Sequence, residues 1–289
     1  MFSEEWPLMM FTLVSQLAIG SFFLLMLTRT LLERDNPQLA HEVTQRGIFW
    51  VGPVMVLALI LSLFHLGTPL GAYRSILNLG SSWLSREILT AGGFFILWFL
   101  YCYFYRKVGT GKALGWLTAV VGLAAIFSMA SIYDHSIRPA WANVNTFIAF
   151  YGATLALGSA GAGLSVVGKI NQENSSKCLP ALQKTALLGL LGVLLPLLYF
   201  PVFVSGLGQA GAAGSSSAAL LTGYIPLLIL RWLLSCAGAA LLLLAFYRKA
   251  KSSLPANWLY LVFVLLLLGE FLGRYAFYGS AVSITVGLS

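Results

Sequence analysis

Apolar stretches long enough to cross a bilayer recur eight times along the chain, with short polar segments between them. They cover residues 6–28, 47–64, 88–105, 113–133, 145–168, 185–204, 225–247 and 256–278. About 20 residues at the helical rise span roughly 30 Å of hydrocarbon, so each stretch suffices alone. The pattern predicts an all-α integral membrane protein: one bundle of eight transmembrane helices filling residues 1–289 as a single domain. The longest polar stretch inside the chain, about Arg29 to Arg46, breaks at Asn36-Pro37. The Gly-, Ala- and Ser-rich run from Gly206 to Ala218 reads as an uncharged flexible linker between the sixth and seventh helices, or as a lid or docking loop. Gly158, Ala160, Gly161, Ala162 and Gly163 give the fifth helix a small-residue face that admits another helix closely.

Charge then orients the bundle. Arg29, Arg34 and Arg46 lie in the first connection; Arg106, Lys107 and Lys112 in the third; Lys169, Lys177 and Lys184 in the fifth; Arg248, Lys249 and Lys251 in the seventh. Twelve of the seventeen basic residues thus fall on one side, against Arg74, Arg86, Arg138, Arg231 and Arg274 on the other. The positive-inside rule places both termini outside the cytoplasm, in the periplasm of a bacterial inner membrane. A composition 59% hydrophobic and 9% charged leaves too little polar surface for a water-soluble globule of 289 residues. The net charge of +8 sits in short loops facing anionic lipid and does not point to nucleic acid. Cys102, Cys178 and Cys236 are far apart and lack C-x-x-C spacing, which argues against a disulfide framework, a metal site or a cluster held by this protein. Glu4 and Glu5 stand where a signal peptide would carry basic residues, so the first segment is expected to be retained.

Ionisable residues at membrane depth are costly and mark function. Counted along the helices, His65 lies roughly 27 Å from the inner start of the second helix, Glu270 roughly 21 Å and Arg274 roughly 27 Å from that of the eighth. Arg86 and Glu87 open the third helix from outside, Arg231 enters one to two turns into the seventh, and Asp134, His135 and Arg138 follow the fourth. Nearly all of them fall at the outer level. Such a layer of acids, bases and cations suits a quinol, which enters from lipid and gives up two protons as two electrons leave. Structural readings stand beside this one. His65 could hydrogen-bond the carbonyls of a helix end. Glu270 and Arg274, four residues apart, could pair for stability alone. Arg29 and Arg34 could be cytoplasmic anchors, and Tyr101, Tyr103 and Tyr105 an interfacial belt. A haem held by His65 and His135 is a further geometric possibility, weakened because His135 lies past the apolar stretch. The competing function is a secondary transporter using Glu270, Arg274 and Arg231 for an anionic solute; Pro196 and Pro201 are its only hint of a broken helix.

Four short motifs at these positions carry a resemblance. They are Glu5-Trp6-Pro7-Leu8-Met9, His65-Leu66-Gly67-Thr68-Pro69, Ser85-Arg86-Glu87, and Gly269-Glu270-Phe271-Leu272-Gly273-Arg274 followed by Phe277-Tyr278-Gly279. In this order, on these helices, the chain resembles the membrane-anchor subunit (DmsC-type) family of dimethyl sulfoxide reductase. The resemblance covers the whole chain in length, helix count and motif order, although helices four to seven match in pattern more than in residues. It implies a haem-free anchor that oxidises menaquinol and passes electrons to a four-cluster iron–sulfur subunit, which serves a molybdopterin catalytic subunit. His65 and Glu87 match the family's quinol-site histidine and glutamate. Arg74, Arg86, Arg231, Glu270 and Arg274 are further candidates for quinol binding, and Arg74 or Arg86 would hold Glu87 ionised. With the site at the outer level, both partners are expected on the outer face.

Overall fold

The computed structural model describes residues 2–64, 78–104, 111–167, 172–247 and 256–284. Nine helices occur among them. They are α1 (Phe2–Leu32), α2 (Pro37–Leu63), α3 (Trp83–Phe104), α4 (Lys112–Asp134), α5 (Val144–Val167), α6 (Gln172–Gly208), α7 (Gly211–Gly223), α8 (Ile225–Tyr247) and α9 (Ala256–Gly279). All but α7 are long and apolar enough to cross a membrane, giving eight candidate spans. Eight spans, an even number, put the start of α1 and the end of α9 on one face of the bundle.

Local chemistry sets the boundaries. Asn36 caps α2, its Oδ1 accepting from Leu39 N at 3.0 Å, and Pro37 follows at the first helical position. The break at Asn36-Pro37 is therefore a helix start, and α2 begins about ten residues before its apolar stretch. Hydroxyls within the spans bond back to their own helix: Thr28 Oγ1 donates to Leu24 O at 2.8 Å, and Thr154 Oγ1 to Phe150 O at 2.8 Å. Such back-bonding lets a polar residue sit where no water is available.

At the centre α1 crosses α5, and each also packs on α2, α4, α6 and α9. Their spans are 72% and 61% buried, the highest shares in the bundle. The crossing is built on Gly20 and Gly158: a Cβ on Gly20 would run into the Thr154 carbonyl, and one on Gly158 into the Gly20 backbone. The small-residue face of the fifth span thus has its partner. α3 packs on α4 but only lightly on α2. A seam remains between α2 and α3, bridged by Trp98, whose Nε1 donates to Ile48 O at 2.7 Å while Gly52 makes room for the indole.

The run 206–218 departs from the linker reading. α6 continues through Gly208, and residues 211–223 form α7, with Ala213, Gly214, Ser217 and Leu221 buried. Leu221 joins Phe203, Leu207 and Leu228 in a small apolar cluster, so tertiary packing overrides the flexibility of the composition. Nor do Pro196 and Pro201 break the helix: α6 runs from Gln172 to Gly208 through both.

Candidate functional site

The α2–α3 seam opens into two cavities, one on either side of Trp98. Toward the end that the charge pattern assigns to the outside lies a cavity of about 340 Å³. Phe11 of α1, Leu59, Ile60 and Leu63 of α2, and Ile88 and Ala91 of α3 give it apolar walls. Glu87, one turn into α3, is 6% exposed and the one ionisable residue among the described residues of that lining. Its carboxyl has no hydrogen-bond or ion-pair partner among the described residues. Leu63, Ile60 and Leu84 at the rim are exposed, so the cavity opens sideways toward lipid. A volume of several hundred Å³ holds a ring-sized ligand, and a lone carboxylate inside it is positioned to take a proton from a hydroxyl.

His65 and Arg74 lie outside the described residues. The helix preceding His65 reaches the Glu87 cavity through Ser62 and Leu63. Arg86 does not serve Glu87. Its Nε donates to Leu79 O at 2.9 Å, its Nη2 to Gly80 O at 2.8 Å, and its guanidinium lies 4.1 Å from the Trp83 ring centre. It ties down the turn before α3, because consecutive helical residues point to different faces.

Arg231, Glu270 and Arg274 come together elsewhere, buried among α1, α5, α8 and α9. Arg231 Nη2 stands 3.9 Å from Glu270 Oε2, and Arg274 Nη2 donates to Gln16 Oε1 at 2.9 Å. The i, i+4 pairing of Glu270 with Arg274 is not what forms: Glu270 faces across to α8, and Arg274 turns to α1 and lies 3.9 Å from the Phe150 ring centre. These three line a chamber of only about 40 Å³, separate from the Glu87 cavity. His135 ends α4, its Nδ1 3.0 Å from Ser131 O and 3.7 Å from Asp134.

At the opposite end of the seam, the structure assembles a network that sequence reading passed over. Arg29 is 2% exposed. It donates through Nε to Glu33 at 2.9 Å and through Nη1 to the Tyr101 hydroxyl at 2.7 Å, with Nη2 3.2 Å from His41 Nδ1. Arg29 and Tyr101 are therefore interior groups, not an anchor and a belt residue; Tyr103, which is exposed, fits the belt. The network lines a cavity of about 550 Å³. The one sequence signal for it was the i, i+4 spacing of Arg29 and Glu33. The hydrogen bond shared by the hydroxyls of Tyr133 and Tyr278 was likewise missed, although Tyr278 stands in one of the four motifs.

Comparison with known proteins bears on the chain as a whole. Residues 2–280 match the family described as "DMSO reductase anchor subunit (DmsC)". The protein is 29% identical over 295 residues to the YnfH subunit of an anaerobic dimethyl sulfoxide reductase of Escherichia coli (strain K12), covering 99% of this sequence and 97% of that one. It is 30% identical over 297 residues to the C subunit of the anaerobic dimethyl sulfoxide reductase of the same organism, with the same coverage. To the corresponding C subunit of Haemophilus influenzae it is 30% identical over 158 residues, 53% of this sequence and 55% of that one.

Proposed function

The chain belongs to the DMSO reductase anchor subunit (DmsC) family, and from that premise we propose that it oxidises menaquinol in the cavity beside Glu87. As a member it is a multi-pass membrane anchor that associates with the catalytic and iron–sulfur subunits of a reductase. The finer reading concerns the electrons. Menaquinol diffuses in from lipid between α2 and α3 with its ring in the cavity and its tail left in the seam. One hydroxyl donates to the Glu87 carboxylate; the other faces the end of α2, where His65 follows. Both O–H bonds break, the ring becomes the quinone, two protons leave to the outer phase, and two electrons pass to the iron–sulfur partner. That partner carries four clusters, and it and the molybdopterin subunit dock on the outer face of the inner membrane. Protons are then released on the side where the terminal reduction consumes them, and this subunit adds nothing to the membrane potential.

The observation that carries the reading is a buried carboxylate without a partner among the described residues, in an apolar, lipid-facing cavity of ring size. A structural carboxylate would be paired or hydrogen-bonded. Glu87→Gln keeps the shape and removes the base. In the assembled complex it is expected to lower quinol-driven reduction by about a hundredfold or more. Reduction driven by a soluble dye that bypasses the membrane should be unchanged. Loss of assembly, or full quinol-driven turnover, would refute the assignment.

A further inference from the structure

The Arg231–Glu270–Arg274 cluster is not explained by quinol chemistry. Arg231 is 8% exposed, Glu270 4% and Arg274 4%, within a helical bundle whose outer surface is apolar. Both guanidiniums remain charged at any accessible pH and offer five N–H donors each. Among the described residues these donors make one hydrogen bond in all, from Arg274 to Gln16. Arg231 makes none; its Nε is buried without a partner, and its approach to Glu270, at 3.9 Å, is too long for one. Trp232 and Phe150 lie against the two guanidiniums at 4.1 and 3.9 Å from ring centre to Cζ, which contributes attraction but accepts no in-plane N–H.

The charge does not close either. Two cations share one carboxylate, and among the described residues no second carboxylate lines the chamber they face. Water could satisfy the idle donors but carries no charge, and an unbalanced charge in a low-dielectric interior is strongly disfavoured. The chamber measures about 40 Å³, with Asn145 and Ser280 also in its wall. That is room for a single small ion and far below the several hundred Å³ of a ring-sized ligand. We propose that this chamber is a buried binding site for a monovalent inorganic anion of chloride size, held between Arg231 and Arg274. The anion balances the second guanidinium and fastens α8 and α9 to α5 and α1. It is a structural ion, and the inference stands whether or not quinol binds beside Glu87.

The test uses the full chain purified in a neutral detergent, with gluconate replaced by bromide at constant ionic strength. Gluconate is too large for the chamber. The thermal midpoint should rise with bromide and saturate, as for a ligand that binds only the folded state. Arg231→Gln leaves Arg274 and Glu270 as a balanced pair, so the saturable rise should vanish, and without bromide the variant should unfold no earlier than the unsubstituted protein. Glu270→Gln leaves two unopposed cations, and the rise should reach half its height at roughly tenfold less bromide. A rise that does not saturate, or one that Arg231→Gln retains, overturns the proposal. If Arg231→Gln does not fold, anomalous scattering from crystals of the unsubstituted protein in bromide decides. A peak between Arg231 and Arg274 upholds the site; an empty chamber at saturating bromide refutes it.

Discussion

Glu87 and Arg86 show how one step along a helix separates chemistry from scaffolding. Arg86 points to the turn at Leu79 and Gly80, while Glu87 points into the bundle and faces the seam. Both were legible in the sequence as outer-level ionisable residues, but which of them met the cavity was not, because facing depends on helix rotation. Gly92, five residues on, lines the same cavity, and a Cβ there would meet nothing within 4 Å. Gly92→Phe is therefore expected to fold normally and to fill ligand space instead of disturbing packing. Quinol-driven turnover should then require roughly tenfold more quinol for half-maximal rate, the scale of a lost ring-sized contact, with dye-driven turnover unaffected. Steady-state titration with a soluble quinol analogue measures this. Unchanged kinetics would mean that the ring does not occupy the α2–α3 cavity.

At the scale of elements, the length of the apolar stretches located all eight spans, since a stretch of about 20 uncharged residues admits few other fates. The ends were less legible. α2 starts at its Asn36 cap and α6 at Gln172, both inside polar sequence, because capping and partner helices extend a helix beyond its lipid-facing stretch. α7 was invisible, since nothing in a Gly-, Ala- and Ser-rich run announces that α6 and α8 will bury its small face. The α1–α5 crossing depends on two backbones meeting at Gly20 and Gly158. Gly20→Leu should force those helices apart and cost about 3 kcal/mol or more by overpacking. The expected result is early thermal unfolding or aggregation in detergent, in contrast to Gly92→Phe. A Gly20→Leu protein as stable as the original would show that the central pair does not sustain the bundle.

On the scale of the whole molecule, the charge pattern and the cavities together assign different work to the two faces. The end with few basic residues holds the Glu87 cavity and the Arg231–Glu270–Arg274 chamber, and there the C-terminal segment packs on the α4–α5 connection, Ile284 N donating to Ile137 O at 3.2 Å. The opposite end holds the Arg29–His41–Tyr101 network. The sequence could not assign Arg29 to the interior, because an arginine at a helix end satisfies the positive-inside rule whether it faces water or protein. Since both large cavities open in the same seam, ligand size alone does not choose between them; a buried carboxylate does, because Glu42 in the wall of the other cavity is exposed while Glu87 is buried. The most direct test is to illuminate the assembled complex with a photoreactive menaquinone analogue and map the labelled peptides by mass spectrometry. Labels should fall on residues 56–63 and 84–92, be competed away by unlabelled menaquinol, and in Gly92→Phe require a higher concentration of the analogue. Competed labelling at residues 98–103 or 228–231, with none around Glu87, would contradict the account.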